Sequence, residues 1–290
     1  MATTNSLSTK TLRDKYRAAQ IQQALRNAVV AEKVCLVDHS DLKTISSPYI
    51  TAMTTVVQAV VGTYSPANIT ISDDTLTVAD EFIVSGQIKG FEKITSNFDL
   101  FYAANQAMTN SVVTAIDKWV LNELCENGTG AYSTPAGGFT TAANVITIIS
   151  NIIAKTAGYA DALNGLYIVV ENTDIVGIVQ SQVSTGFRYA DATATNGLMG
   201  SMLGVDIYVV RSGTFADEST STASGTKTWT NAGHRVGGVK KVSTYAFPRD
   251  IQFEEKGVTG VTGMEIVAYG LVGFKQWTPT AGLTIDITLV

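Results

Sequence analysis

Cysteine is nearly missing from this chain. Cys35 and Cys125 are the only two, and they lie far apart. No disulfide framework is implied, a reducing compartment fits, and each reads as a small buried apolar residue. Histidine is just as scarce. His39 and His234 are too few for a metal centre of the usual kind, and no cysteine pair has ligand spacing. Charge is thin at 16% of residues, where about a quarter is usual for a soluble domain. An excess of basic residues is also lacking: the net charge is −5, which argues against a dedicated nucleic-acid binder but leaves room for one local basic patch. Long hydrophobic runs are absent too. The best, residues 144–160, is interrupted by Asn151, Lys155 and Gly158 and is too short to span a bilayer. Residues 1–10 are polar and lack the apolar core of a signal segment. Without secretion, the sequons at Asn68 and Asn127 carry no meaning. What remains is a chain of 290 residues, 45% apolar. It is long enough for one elaborated domain or two. Few charges among so many apolar residues suggest a surface hidden in an assembly.

Reactive constellations do not form. Asp38-His39-Ser40-Asp41 looks catalytic, but adjacent side chains diverge, so it reads as a turn. Glu254 and Glu255 would face opposite sides of a strand. Gly197, Gly200 and Gly204 match neither phosphate-binding glycine pattern and read as turns around a strand. His234 beside Arg235 reads as a polar surface or interface residue. No nucleophile, base and orienter come together, so no catalytic residue, cofactor or metal is assigned, and an enzyme is disfavoured.

The organising stretch is residues 96–126, thirty-one residues without proline or glycine. Phe101, Ala104, Met108, Val112, Ala115 and Trp119 fall on one face of a helix, widened by Ile116, Val120 and Leu124. Ser96 is placed to cap it, Asp99 favours its positive end, and Asn127-Gly128 reads as a left-handed stop. Such a helix would be about 45 Å long, a spine for other elements to pack across.

Around this spine the chain reads in order. Residues 9–33 form a weakly amphipathic helix in which Lys10, Arg13, Lys15, Arg17 and Arg26 oppose only Asp14 over the first two-thirds. It is a solvated face, an arm on a neighbouring subunit, or an arm facing an anionic polymer. Residues 34–38 are a short strand. Residues 41–88 read as long β-hairpins: 68–72 and 75–79 alternate about an Asp73-Asp74 turn, and 81–89 alternates again with a break at Gly86. These hairpins have little core of their own and must lean on something else. Residues 127–138 read as a linker and domain boundary. Val145, Ile148, Ile149 and Ile152 mark a helix over 140–157, residues 166–170 and 205–210 read as buried strands, and 173–183 as a short helix. Residues 215–233 read as a loop anchored by Trp229. Residues 236–247 return to strand, and 251–290 is strand broken by glycines, with a buried Leu/Ile face over 283–289.

The order of parts, together with particular motifs, resembles the major capsid proteins of tailed bacteriophages, with the Hong-Kong-97-type fold. Phe82-Ile-Val-Ser-Gly-Gln-Ile-Lys89 and Phe91-Glu-Lys-Ile-Thr-Ser-Asn-Phe-Asp99 resemble the strand leading into that family's spine helix. Ala115-Ile-Asp-Lys-Trp-Val-Leu121 resembles the spine's second half, with Asp117 before the apolar run. Leu166-Tyr-Ile-Val-Val170 and Gly200-Ser-Met-Leu-Gly-Val-Asp-Ile-Tyr208 resemble the two central axial strands, and Tyr269-Gly270 with Pro279-Thr-Ala-Gly282 the closing strands. The resemblance implies an α+β fold in five parts: an N-terminal arm (1–40), an extended loop with flanking strands (41–88), a peripheral domain with the spine (89–129), an axial α/β domain (130–239), and C-terminal strands returning to the peripheral domain (240–290). It implies pentamers and hexamers of an icosahedral virion shell around double-stranded DNA, assembled in the host cytoplasm without a membrane. Scaffold, portal and decoration proteins are the implied partners. Lys10, Arg13, Lys15, Arg17 and Arg26 would be DNA-facing or inter-subunit residues. Neither Lys43 nor Lys89 aligns with a crosslinking lysine, so no covalent chemistry is assigned. The chain is too short to add a long scaffolding segment to this fold, and Met1 favours a separate scaffold. The alternative is an encapsulin-type compartment shell of the same fold. An adhesin-like β-protein and an α/β hydrolase are disfavoured by the missing signal segment and catalytic set.

Overall fold

The computed structural model describes residues 30–40, 42–50, 69–89, 100–156, 165–185, 198–222, 225–248, 251–257 and 262–290. The basic residues of segment 9–29, residues 51–68 of the expected hairpins and the capping residues Ser96 and Asp99 lie outside the described residues.

The long helix α2 (Leu100–Asn127) follows a short helix α1 (Ala31–Val34) and organises two sheets. The first sheet is built on β14 (Gly263–Gln276). One edge of β14 pairs with β4 (Asp80–Lys89), and the other pairs with β13 (Gln252–Gly257) and then β12 (Ser243–Ala246), beside which β1 (Leu36–Asp38) runs parallel. Alternation decides which face meets the helix. Phe82, Val84 and Ile88 stand opposite Gly270, Ala268 and Met264 and pack with Met108, Val112, Ile116 and Trp119. The glycines expected to break these strands do not. Gly86 lies within β4, and a Cβ there would come 2.6 Å from the Met108 Cε. Gly270 and Gly273 lie within β14, and a Cβ on Gly273 would come 2.6 Å from the Thr77 carbonyl oxygen. They leave room for the helix and for a crossing strand.

The second sheet runs β5 (Gly130–Ser133), β15 (Thr284–Thr288), β11 (His234–Val239), β6 (Leu166–Glu171), β8 (Val205–Val210), β7 (Leu198–Met202). β6 is buried on both faces, as its unbroken apolar run predicts. Leu166, Ile168 and Val170 join Val145, Ile148, Ile149 and Ile152 of α3 (Ala142–Thr156) and Ile178 of α4 (Ile175–Thr185). Tyr167 and Val169 join the core around α2. The second half of α2 is thus enclosed: every residue from Trp119 to Cys125 is buried. The single-stripe reading holds only for the first half, because the second sheet covers the other side.

Other expectations are corrected. Residues 71–77 form one strand, β3 (Ile71–Thr77), paired with β2 (Thr44–Ile50); no turn divides it at Asp73-Asp74. Asp74 is extended and buried because the Thr278 N–H donates to its Oδ2 at 2.7 Å and Lys275 pairs with it at 3.3 Å. The expected linker contains β5, held parallel to β15. The expected loop at 215–233 is a hairpin, β9 (Asp217–Thr222) with β10 (Gly225–Thr230). Residues 198–202 are strand, turning once at Leu203 (φ 54°) and Gly204 (φ 81°). Residues 279–282 lie in a 3-10 turn, Thr278–Leu283, rather than in a strand. Gly128 is not left-handed; its N–H continues the helix ladder to Leu124 O at 3.1 Å. The last strand β15 joins the second sheet, not the one beside α2's first half. Its inward face is buried as expected, with Ile285 and Ile287 in the core around α3.

Val112 is fully buried between α2 and β14. A carboxylate there has no partner. Val112→Glu is expected to leave no soluble folded subunit, read from the soluble fraction on expression and the loss of a cooperative melt. At Gly177, a Cβ would come 2.0 Å from the Phe139 carbonyl oxygen. Gly177→Ala should lower the melting temperature despite alanine's better helix propensity.

Candidate functional site

The described residues include no group of three or more His, Cys, Asp or Glu side chains able to hold a metal ion. Both cysteines are free and buried. Burial pushes the Cys35 thiol up to about 12 and raises Cys125 as well, so neither supplies a thiolate near neutral pH. The Ser40 N–H donates to Asp38 Oδ1 at 2.7 Å, an Asx turn. His39 Nδ1 lies 3.0 Å from the Phe247 carbonyl oxygen. Polar chemistry here goes into joining elements and into surfaces.

The densest polar cluster surrounds Arg235. Sequence reading assigned Arg235 no role beyond standing beside His234, which reads as a polar surface or interface residue; the structure buries Arg235. Its Nε donates to Asp174 Oδ2 at 2.6 Å, its Nη2 to Glu171 Oε2 at 3.3 Å, and its guanidinium lies over the Phe215 ring. The remaining Glu171 oxygen accepts the Gly213 and Phe215 N–H groups at 3.0 and 3.1 Å. The end of β6, the start of α4 and the turn before β9 are thereby joined. His234 is half-buried, its Nδ1 2.8 Å from Asp286 Oδ1.

A second cluster ties the β9–β10 hairpin to α2. The Trp229 indole N–H donates to Glu123 Oε1 at 3.0 Å, Lys227 pairs with the same carboxylate, and Lys118 pairs with Glu218. Asn122 donates to Thr214 O at 2.8 Å and accepts from Asn231 at 3.1 Å. Trp229 is the anchor the sequence suggested. Glu123 and Asn122 were missed; their interruption of the apolar run 119–125 was the available signal.

The surfaces are the more telling feature. Among the described residues the β2–β3 ribbon is packed at its base, where Leu76 and Val78 meet Ala246, with Ile45 and Trp277 alongside. Toward its far end Ile50, Ile69 and Ile71 are 60%, 60% and 67% exposed. On the side of the first sheet away from α2, Ile83 and Leu271 are also exposed. Lys10, Arg13, Lys15, Arg17 and Arg26, the residues singled out as an arm, lie outside the described residues. The root of that arm is described: Val30 and Ala31 are fully buried, and the Ala31 N–H donates to Asp117 Oδ1 at 2.7 Å.

No family model and no curated protein matches the chain. Solved structures do. The capsid structure of the cyanophage P-SCSP1u is 16% identical with a TM-score of 0.69, covering 100% of this chain and 97% of the other. The capsid of a native GTA particle is 11% identical with a TM-score of 0.64, covering 99% and 96%. A virus-like particle from Pyrococcus furiosus is 9% identical with a TM-score of 0.58, covering 96% and 98%. The chain therefore has the Hong-Kong-97-type capsid fold, in agreement with the α+β fold class the sequence implied.

The Arg235 cluster yields a stability prediction. Arg235→Ala strands the Glu171 and Asp174 carboxylates in the interior, which costs about 3–5 kcal/mol. Chemical denaturation should show a loss of this size. Arg235→Lys should recover only part of it, since an ammonium lacks the planar fork that reaches both carboxylates.

Proposed function

We propose that the chain is the structural subunit of a phage capsid, assembling into pentamers and hexamers of an icosahedral head around double-stranded DNA. The observation that carries this reading is end-to-end likeness to capsid subunits. The exposure of Ile50, Ile69 and Ile71 on the β2–β3 ribbon supports it, since cover for them would come from another chain. Residues 1–40 would be the arm, 41–88 the extended loop, 89–129 with the later strands the peripheral domain, and 130–239 the axial domain. Because β15 pairs within the second sheet, we assign Thr284–Thr288 to the axial domain instead. Lys10, Arg13, Lys15, Arg17 and Arg26 would meet packaged DNA or a neighbouring subunit without reading sequence. Scaffold, portal and decoration proteins would be partners, with assembly in the host cytoplasm and residence in the virion. No reaction is assigned to the chain.

A second reading, an encapsulin-type compartment shell of the same fold, is favoured by the likeness to the Pyrococcus furiosus virus-like particle. Electron microscopy of the chain expressed alone separates the two. Rings of five and six, or shells only when a scaffold is supplied, fit the capsid reading. Closed shells carrying protein cargo fit the compartment. A monomer at high concentration, with no rings, counts against both.

Removing the arm tests its part. Val30, Ala31 and Val34 are core residues, so a deletion running through residue 33 would cut into the core. Deleting 1–28 instead should leave the melting temperature nearly unchanged and impair assembly. Normal shells from the shortened chain would end the assembly role of the arm.

A further inference from the structure

Asp117 lies within α2, on a helix whose neighbouring turns are packed with apolar side chains, and it is buried. Its Oδ1 accepts the Ala31 N–H at 2.7 Å. Val30, Ala31 and Val34 pack into the core around α2. The root of the N-terminal segment is thus held by apolar contact and one carboxylate. Beside it is an opening of about 40 Å³, lined by Ala31, Glu32, Val113, Asp117, Tyr245 and Phe247, which the root does not fill. Among the described residues, the ionisable groups facing Asp117 are Glu32 and Cys35 from the root and Tyr245 from β12. None is a cation. Lys118, the next residue on the helix, is turned to Glu218. No ion pair to Asp117 occurs among the described residues.

We propose that Asp117 is a proton-operated latch on the N-terminal arm: protonated, it holds the arm's root under α2, and ionised, it loosens that hold. A buried carboxylate with no cation beside it among the described residues is costly, and the Ala31 N–H offsets only part of the cost. Lifting the root hydrates the charge. Burial pushes the Asp117 carboxyl up to about 7, against the pull of the Ala31 and Val30 amides and with the help of the Glu32 charge. A released, hydrated aspartate titrates near ~3.9. The docked state therefore binds the extra proton. The hold is full below the released value and is lost as pH rises through about 7.

The biological use of this latch rests on reading residues 1–29 as an assembly arm. The latch itself is tested on the full-length subunit in solution, so a chain that never forms shells can still pass. The Val34 and Cys35 amides donate to the Val30 and Ala31 carbonyl oxygens and report the root directly. Their hydrogen exchange, corrected for intrinsic rates, should lose protection by on the order of tens-fold between pH 5 and pH 8. Asp117→Asn can still accept the Ala31 N–H and carries no titrating proton, so its protection should be the same at both pH values. The latch is refuted by flat protection in the unaltered chain or by an undiminished slope in Asp117→Asn. An equal loss at the β6 amides would also refute it, because that marks global unfolding.

Discussion

The enclosure of α2's second half is the constraint on which the structure depends. From Trp119 to Cys125 this helix has no face that water can reach. Such a helix is unstable alone, because its apolar surface surrounds it. It requires cover on two sides at once, and two sheets provide it. The alternation of β6 then becomes obligatory. Tyr167 and Val169 must face α2, while Leu166, Ile168 and Val170 face α3. A slip of one residue would exchange the two sets and put mismatched volumes into both cores.

Polar groups inside this frame are few and tied across elements. Arg235 answers Glu171 and Asp174, and Glu123 answers Trp229 and Lys227. Each joins segments distant in sequence, so these contacts mature only when the fold is nearly complete. They are weak evidence for net stability, since apolar replacements often do as well, but any half-removed pair is severely costly. Their position suggests a role in orienting the β9–β10 hairpin and the turn that precedes it. Asp117 differs in accepting from the backbone and in having no cation beside it among the described residues.

The chain also leaves apolar surface outside these cores. Ile50, Ile69 and Ile71 on the ribbon lie far from α2's core, and Ile83 and Leu271 line an uncovered sheet face. Exposed apolar groups on narrow ribbons are expected where another chain supplies the rest of the burial. The thin charge of the sequence has the same meaning.

Most of the helical organisation was legible in the sequence. The spacing from Met108 to Leu124 determined α2, and Val145 to Ile152 determined α3, because period 3.6 is a local property. Runs apolar on both faces likewise marked β6 and β8. What the tertiary structure alone decided was whatever depended on a distant partner. Asp73-Asp74 looks like a turn and is strand, because Thr278 and Lys275 arrive from the far end of the chain to satisfy Asp74. Gly86, Gly270 and Gly273 look like breaks and are close-approach points, because a helix or another strand lies where a side chain would be. Residues 130–133 and 215–233 look like loops, their strand pairing being set by β15 and by anchorage on α2. Asp117 stood in the sequence as one polar residue before an apolar run. Only the fold brought the Ala31 N–H to its carboxylate, because that contact joins residues that no local pattern links.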